Sequence, residues 1–165
     1  MKVGVIADTH GFFHPQIPGV FQGVDRILHA GDVGSHEVFR RLQQIAPLIG
    51  VRGNYDQELA SHLLPDPSLI DLDGIPTLLT HRLIAFEWST GKEAFARAVH
   101  KFVGHPKLII FGHTHFPVAE EVDHLYFLNP GYCGPDPLEW EPSVGILELH
   151  AGEISGKIIN LKSRS

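Results

Sequence analysis

The sequence predicts an α/β domain. Its first half alternates short apolar runs with helix-like stretches, and almost everything after Pro117 reads as strand. The first pattern is what parallel strands joined by crossover helices produce. At 165 residues, with 43% hydrophobic and 19% charged side chains, the chain fits one compact domain over residues 1–165, large enough to bury most of its apolar surface.

Residues 3–7, 26–30 and 48–52 are the first three expected strands. Between the second and third, Ser35 is placed to cap a helix whose Val38, Phe39, Leu42 and Ile45 share one face, and Pro47 stops it. A shorter helix follows Asp56 and ends before Pro65. Residues 69–72 and 77–80 flank the turn dipeptide Asp73-Gly74 and predict a hairpin whose loop also takes in Ile75 and Pro76. Thr90 and Glu93 form a capping box opening a helix that buries Phe95, Ala98, Val99 and Phe102, ended by Gly104 and Pro106. Residues 108–111 are a further buried strand, and 118–122, 125–128, 144–149 and 154–161 complete the set, with 134–142 as a surface loop.

Composition excludes several function classes. The formal charge is −6, from 19 acidic and 13 basic residues, with no run of Lys or Arg, so stable nucleic-acid binding is not expected. A nucleotide or an accessible strand end remains admissible as a substrate. The apolar run at the start breaks at Asp8, too short for a signal sequence or a membrane span, which predicts a cytoplasmic protein without membrane association. Cys133 is the only cysteine, so no intramolecular disulfide forms, and no basic neighbour in sequence activates it. Twelve histidines are several-fold more than such a chain usually carries, and histidine is the commonest metal ligand.

The ends of the expected strands explain part of that excess. The first runs into Asp8 and His10, the second into Gly31 and Asp32, and the third into Gly53 and Asn54. Residues 77–80 run into His81, and 108–111 into Gly112, His113 and His115. Ligands of open α/β sheets bind outside the carboxyl ends of strands, so these seven side chains are placed to converge. A DxH, GD or GN alone is weak, whereas GHxH is expected less than about 0.1 times by chance in this composition. Carboxylate, imidazole and amide donors without thiolate suit hard or borderline divalent ions, and a carboxylate has two oxygens with which to bridge a pair.

In the order DxH, GD, GN, His, GHxH, the sequence resembles the calcineurin-like metallophosphoesterase superfamily, and in particular its small bacterial and archaeal phosphodiesterase branch, from Met1 to about Gly131. The resemblance implies a two-sheet mixed β-sandwich flanked by helices in four αββα layers. It also implies two divalent metal ions, Mn²⁺ first among Fe²⁺, Zn²⁺, Ni²⁺ and Mg²⁺. Asp8, His10 and His115 would hold one, Asn54, His81 and His113 the other, and Asp32 would bridge them. The expected activity is hydrolysis of a small phosphoester, most readily a phosphodiester, by a hydroxide bridging the metals.

Asp32, Asn54, Tyr55 and Asp56 form the expected catalytic set, with one departure from the superfamily. Many members carry His after the GN, oriented by the next Asp, to protonate the leaving group; here Tyr55 and Asp56 stand there. A phenol, with an ordinary pKa of about 10, is a poor donor at neutral pH, so good leaving groups such as aryl esters or anhydrides are favoured. Arg82 follows His81 where Gly is common and is a candidate phosphate contact. Tyr132, after Asn129, Pro130 and Gly131, is placed to narrow the pocket or stack on a substrate base. His14, His36, His62, His100, His105, His124 and His150 read as solvated or locally bonded, and His29 as a buried strand residue. Trp88 and Trp140 are candidate contacts of a homo-oligomer. The competing functions are a phosphomonoesterase, a non-catalytic scaffold like the retromer subunit related to this branch, and a structural metal domain, the last disfavoured by the lack of cysteine ligands.

Overall fold

The computed structural model describes residues 1–83, 96, 104–135 and 141–162. The expected helix from Thr90, and Trp88, His100 and Trp140, lie outside these residues; Ala96 is helical and buried.

β1 (Lys2–Ile6), β2 (Arg26–His29) and β3 (Leu48–Gly50) pair in parallel, with Val3 opposite Arg26 and Ile27 opposite Leu48. β9 (Ser143–His150) runs antiparallel to the other side of β1 and β10 (Glu153–Asn160) antiparallel to β9, giving the sheet order β10-β9-β1-β2-β3. Strands β1 and β2 are covered on both faces, which is why they read as continuous apolar runs instead of alternating ones. Val3, Val5, Ala7, Leu28 and Ala30 face the second sheet, while Ile6 and Ile27 face the helices.

α1 (Ile17–Val20) is a single turn with Pro in its first turn, too short to leave a periodic signal. α2 (His36–Gln43) starts as expected, with Ser35 Oγ accepting from the Val38 amide at 3.2 Å and Val38, Phe39 and Leu42 buried, but it ends before Ile45, ahead of Pro47. The segment after Asp56 is only a 3₁₀ turn, Gln57–Leu59. Beyond it Leu64 returns to pair with Val51, and Arg52 N and Leu64 N donate to Leu64 O and Gly50 O. That closure holds both ends of the loop carrying Asn54.

The second sheet has the order β4-β5-β6-β8-β7. β4 (Ser68–Leu72) and β5 (Ile75–Leu79) form the hairpin; β5 runs parallel to β6 (Leu108–Ile110), β6 parallel to β8 (Leu125–Asn129), and β7 (Val118–Val122) antiparallel to β8. The hairpin loop is tighter than the sequence predicts. Only Asp73 and Gly74, at φ 56° and 82°, make the turn, and Ile75 and Pro76 belong to β5. Pro76 is tolerated because Leu72 and Ile75 flank the turn as the hydrogen-bonded pair, so Pro76 opposite Asp71 has no amide to lose toward β4.

The two sheets pack face to face over Val3, Val5, Leu28, Leu79, Leu108, Ile110, Leu128 and Leu147. Helices α1 and α2 cover the outer face of the first sheet, and Ala96 packs with Leu78, Ile109 and Phe127 on the outer face of the second. This is the expected mixed two-sheet α/β sandwich. No helix among the described residues is long and apolar enough to cross a membrane.

Gly4 in β1 marks how tightly the helical layer sits. A Cβ there would lie 2.9 Å from Cδ1 and Cε1 of the buried Phe21 ring. Gly4→Ala is expected to destabilise the fold by about 1–3 kcal/mol through overpacking. Adding Phe21→Leu should recover part of that loss, read by thermal or urea unfolding of both variants.

Candidate metal centre

The site lies where the carboxyl ends of parallel strands from both sheets meet. β1, β2 and β3 deliver Asp8 and His10, Asp32, and Asn54; β5 and β6 deliver His81, and His113 with His115. Five of these seven side chains sit on left-handed backbone: Asp8, His10, Asp32, His113 and His115 have φ of 51°, 45°, 56°, 67° and 62°. Each such residue costs roughly 1–2 kcal/mol. Strain gathered at one cluster of this kind is a common feature of functional sites, which makes this one a candidate.

Hydrogen bonds hold the strained loops against one another. Asp8 N donates to Gly31 O at 3.0 Å, His10 N to Asp32 O at 3.0 Å, and Gly11 N to Val33 O at 2.8 Å. Between them, the buried Thr9 hydroxyl donates to Val33 O at 2.9 Å and lies 3.0 Å from His29 Nε2. With the hydroxyl proton on Val33 O, that ring nitrogen is the donor. The second sheet is tied in by His113 N, which donates to Asp8 Oδ2 at 3.0 Å, while within that sheet Gly112 N donates to His81 O at 3.1 Å.

The charges then converge. Asp8 and Asp32 are buried, and the ion-pair distances around them among the described residues are all to imidazoles: His115 Nε2 is 3.5 Å and His10 Nε2 4.0 Å from Asp8 Oδ1, while His81 Nε2 is 3.3 Å and His10 Nε2 3.9 Å from Asp32 Oδ2. His81 Nδ1 lies 2.9 Å from Ala30 O, which can only accept, so Nδ1 carries the hydrogen and a neutral ring turns its bare Nε2 toward Asp32. That contact is off hydrogen-bond geometry: Nε2 of His81 and Oδ1 of Asp8 are buried without a hydrogen-bond partner among the described residues.

Two lone pairs facing each other require a positive charge between them. The ring meets that need with a proton when nothing else does. Burial opposes it, but the Asp32 carboxylate and the Ala30 carbonyl raise the His81 pKa to about 9. Burial likewise opposes ionisation of Asp32, yet His81 and the Tyr55 amide hold its pKa below the ordinary carboxylate value. His113 is lowered by burial and by the neighbouring His81 and Arg82. Fully buried, His29 is pushed down to about 4 and stays neutral.

Donor atoms of Asp8, His10 and His115 lie within 4.8 Å of one another, and so do those of Asp8, Asp32 and His81. Orphaned buried donors and an all-oxygen and nitrogen ligand set fit divalent cations. The first trio is the one the resemblance groups, while in the second Asp8 joins Asp32 and His81. The His113 ring stands 5.1 Å from that of His81, centroid to centroid, and Asn54 is exposed at the edge.

The glycines before the ligands are there for approach. A Cβ on Gly53 would overlap the Asp32 amide and carboxylate, one on Gly31 would lie 2.6 Å from the His81 ring, and one on Gly112 would lie 2.9 Å from Asp8 Oδ2. Each glycine that precedes one ligand clears space for another. Only Gly31 of the three is also left-handed, at φ 90°.

Two sequence expectations change here. Asp56 is buried with both oxygens engaged, accepting from Gly34 N at 2.9 Å and Gly53 N at 2.8 Å. It fastens the Asn54 loop to the Asp32 loop and is not oriented toward a proton donor. Tyr132 is 6% exposed, with its ring centroid 4.7 Å from His115 and 6.1 Å from His10, so it backs these histidines and has no free face for a base. Arg82 is exposed next to His81. Tyr55 is 72% exposed beside a cleft of about 530 Å³ whose lining includes His10, Asn54, Ser35, His36, Gln57 and Glu58.

Other residues that shape the site carry no motif. Asp66 Oδ1 accepts from His81 N at 2.8 Å and from Thr80 Oγ1 at 2.6 Å; Asn129 Nδ2 donates to Gly112 O at 3.1 Å. Asn129 was visible only as part of the Asn-Pro-Gly run, and nothing in sequence singles out Asp66 or Thr9.

Residues 1–152 match the calcineurin-like phosphoesterase superfamily domain. The chain is 30% identical to a probable metallophosphoesterase of Methanothermobacter thermautotrophicus over 96% of this chain and 92% of that one. It is 27% identical to the phosphodiesterase MJ0936 of Methanocaldococcus jannaschii, over 93% and 96%. Among solved structures, Vps29 of Entamoeba histolytica complexed with zinc superimposes with a TM-score of 0.71 at 23% identity, covering 97% of this chain and 99% of that one, a likeness of fold.

Gly112→Ala is expected to push the Asp8 carboxylate aside and weaken divalent-metal binding more than it lowers the melting temperature. Calorimetric titration with Mn²⁺ alongside thermal unfolding separates the two effects. Asp56→Ala should do the reverse and act mainly on stability, by about 1–3 kcal/mol in total, since the hydrogen bonds to the Gly34 and Gly53 amides are only partly buried. An unchanged unfolding midpoint in that variant would contradict the fastening role.

Proposed function

Since the chain belongs to the calcineurin-like phosphoesterase superfamily, we propose that this metal-dependent phosphoesterase is a dinuclear enzyme hydrolysing small phosphodiesters. The observation that carries the reading is the pair of orphaned buried donors, Asp8 Oδ1 and His81 Nε2, within a ring of carboxylates and imidazoles.

In this reading Asp8, His10 and His115 would hold one ion and Asn54, His81 and His113 the other, with Asp32 contributing to both. Two divalent ions bound there would supply Lewis acidity, lowering the pKa of a water between them and neutralising charge on the phosphoryl group. The protein's own contribution is preorganisation. Asp32 is anchored at Oδ1 by the Tyr55 amide at 3.0 Å, which leaves Oδ2 facing both His10 and His81. His81 is fixed in the tautomer that offers Nε2 by the Ala30 carbonyl. Exposed Arg82 is available to a substrate phosphate as a charged fork.

Release of the leaving group receives little help from these residues. Asp56 is engaged with backbone, and a phenol donates protons poorly at neutral pH. Water at the exposed cleft then serves any leaving group that departs as a stable anion, which favours activated diesters. The relatives named phosphodiesterase support the diester part of that reading. The resemblance puts Mn²⁺ first, and a nitrogen and oxygen donor set admits it alongside Fe²⁺, Zn²⁺, Ni²⁺ and Mg²⁺. The setting would be cytoplasmic, with a small phosphoester as partner, no stable nucleic-acid or membrane binding, and self-association a further option.

Asp32→Ala is expected to drop metal content below one ion per chain by elemental analysis. It should also cut hydrolysis by more than about 100-fold, beyond the range for loss of an outer-shell partner. Undiminished turnover would sink the mechanism. Comparing bis(p-nitrophenyl) phosphate with its monoester under Mn²⁺, Zn²⁺, Ni²⁺, Fe²⁺ and Mg²⁺ should show the diester turned over faster with at least one ion. Faster monoester turnover throughout would make the protein a phosphomonoesterase. Uptake of less than one ion by the unaltered chain would favour the non-catalytic scaffold.

A further inference from the structure

The cleft beside the metal centre shares His10 and Asn54 with it and continues over Ser35, His36, Gln57 and Glu58. Most of that wall is polar, and part of it is already engaged: Ser35 Oγ caps α2 and both oxygens of Asp56 hold backbone amides. Its largest ring is Tyr55, which is 72% exposed. A large ring left in water keeps its apolar area available for burial against a partner, and a loose loop would be the ordinary reason for such exposure.

Looseness of the loop is not that reason. The Tyr55 amide donates to Asp32 Oδ1 at 3.0 Å, and the next residue, Asp56, is buried and fastens the loop at Gly34 and Gly53. The ring itself meets His10 in a T-shaped contact, centroids 5.5 Å apart at 70°. Its backbone is therefore fixed within the cluster while its ring stands in solvent. A tyrosine has only two side-chain torsions to order, so such a platform binds at small entropic cost.

We propose that Tyr55 is a specificity-determining residue, a stacking platform for a flat aromatic group, aryl or nucleobase, carried by the phosphoester whose phosphate sits at the metal centre. The inference rests on the phosphoesterase reading and adds the substrate's chemical class to it. Stacking of a π-face on an aromatic side chain tolerates many ring systems. The polar groups of His36, Gln57 and Glu58 line the same cleft and can meet the edges of a heteroaromatic ring. Tyr132, the other tyrosine near the histidines, is buried and does not line this cleft.

The test is calorimetric binding to the Mn²⁺-loaded protein with two ligand pairs that differ by a ring. Phenylphosphonate against methylphosphonate probes an aryl group without offering an ester to hydrolyse, and adenosine 5′-phosphate against ribose 5-phosphate probes a nucleobase. Wild type should favour the ring-bearing member of at least one pair by about fivefold or more, the lower bound for one stacked ring. Preference confined to one pair identifies the source of the ring. Tyr55→Phe should keep the preference, and Tyr55→Ala should bring it within about twofold of parity while still binding methylphosphonate. Equal affinities in both pairs for wild type, or a preference that survives in Tyr55→Ala, overturn the inference alone. If no phosphonate or phosphate ester binds the loaded wild type, the phosphoesterase reading falls and this inference falls with it.

Discussion

Asp8 Oδ1, Asp32 Oδ2 and His81 Nε2 are lone-pair atoms brought together in a buried place, and nothing among the described residues hydrogen-bonds the first or the last. Left without a cation, such a cluster is unfavourable, because each desolvated carboxylate gains only one backbone amide, at its other oxygen, in exchange for its hydration. Without a cation, protonation of His81 would relieve only one edge of it, toward Asp32. The remaining architecture of this end of the molecule follows from holding these atoms near one another despite that cost. A divalent cation bound there would therefore stabilise the native state as well as create the chemistry, since a ligand taken up only by the folded chain shifts the folding equilibrium.

Holding them requires both sheets. Three ligand loops leave the parallel strands of the first sheet and two leave parallel strands of the second, and the links between them are short and buried. His81 reaches across to Ala30 O at 2.9 Å, and the His113 amide reaches Asp8 Oδ2 at 3.0 Å. The left-handed turns at Asp8, His10 and Asp32 are what let β1 and β2 end and immediately fold their side chains back over the seam. Thr9, between two left-handed residues, is bound on one side by the Val33 carbonyl and on the other by neutral His29. Inter-sheet packing of Val5, Leu28, Leu79 and Ile110 below the site supplies the rigid base on which that strain is carried.

The candidate ligands could be picked out in the sequence because a ligand must be one of a few residue types and here stands just past a strand. Parallel strands also announce themselves as short apolar runs. The positions of β1 and β2 followed for the same reason. What escaped were properties of distance. Gly31, Gly53 and Gly112 look like turn residues in sequence, yet their absent side chains make room for His81, Asp32 and Asp8, each from another strand. Asp56 looks like a catalytic partner because it follows Tyr55, whereas its two oxygens meet amides of Gly34 and Gly53. Tyr132 and Tyr55 were indistinguishable as aromatic neighbours of motifs, and only packing separates a buried brace from an exposed ring. The one-turn α1 and the tight hairpin before Pro76 were missed because one turn has no period and because proline reads as a breaker until the pairing parity is known.

That separation of roles has a consequence for how this scaffold varies. The carboxylates, imidazoles and glycines are interlocked: each glycine is fixed by a ligand from a different strand, so a substitution at any of them displaces two elements at once. Tyr55, His36, Gln57 and Glu58 are constrained differently. Their side chains line an open cleft, and the strain and charge at the seam do not depend on them; of Tyr55 only the amide, common to every residue but proline, is needed by Asp32. Change can therefore accumulate at the cleft without unfolding the centre. On this physical ground the chemistry of the site follows from the buried cluster, and the choice of ester follows from the few exposed residues beside it.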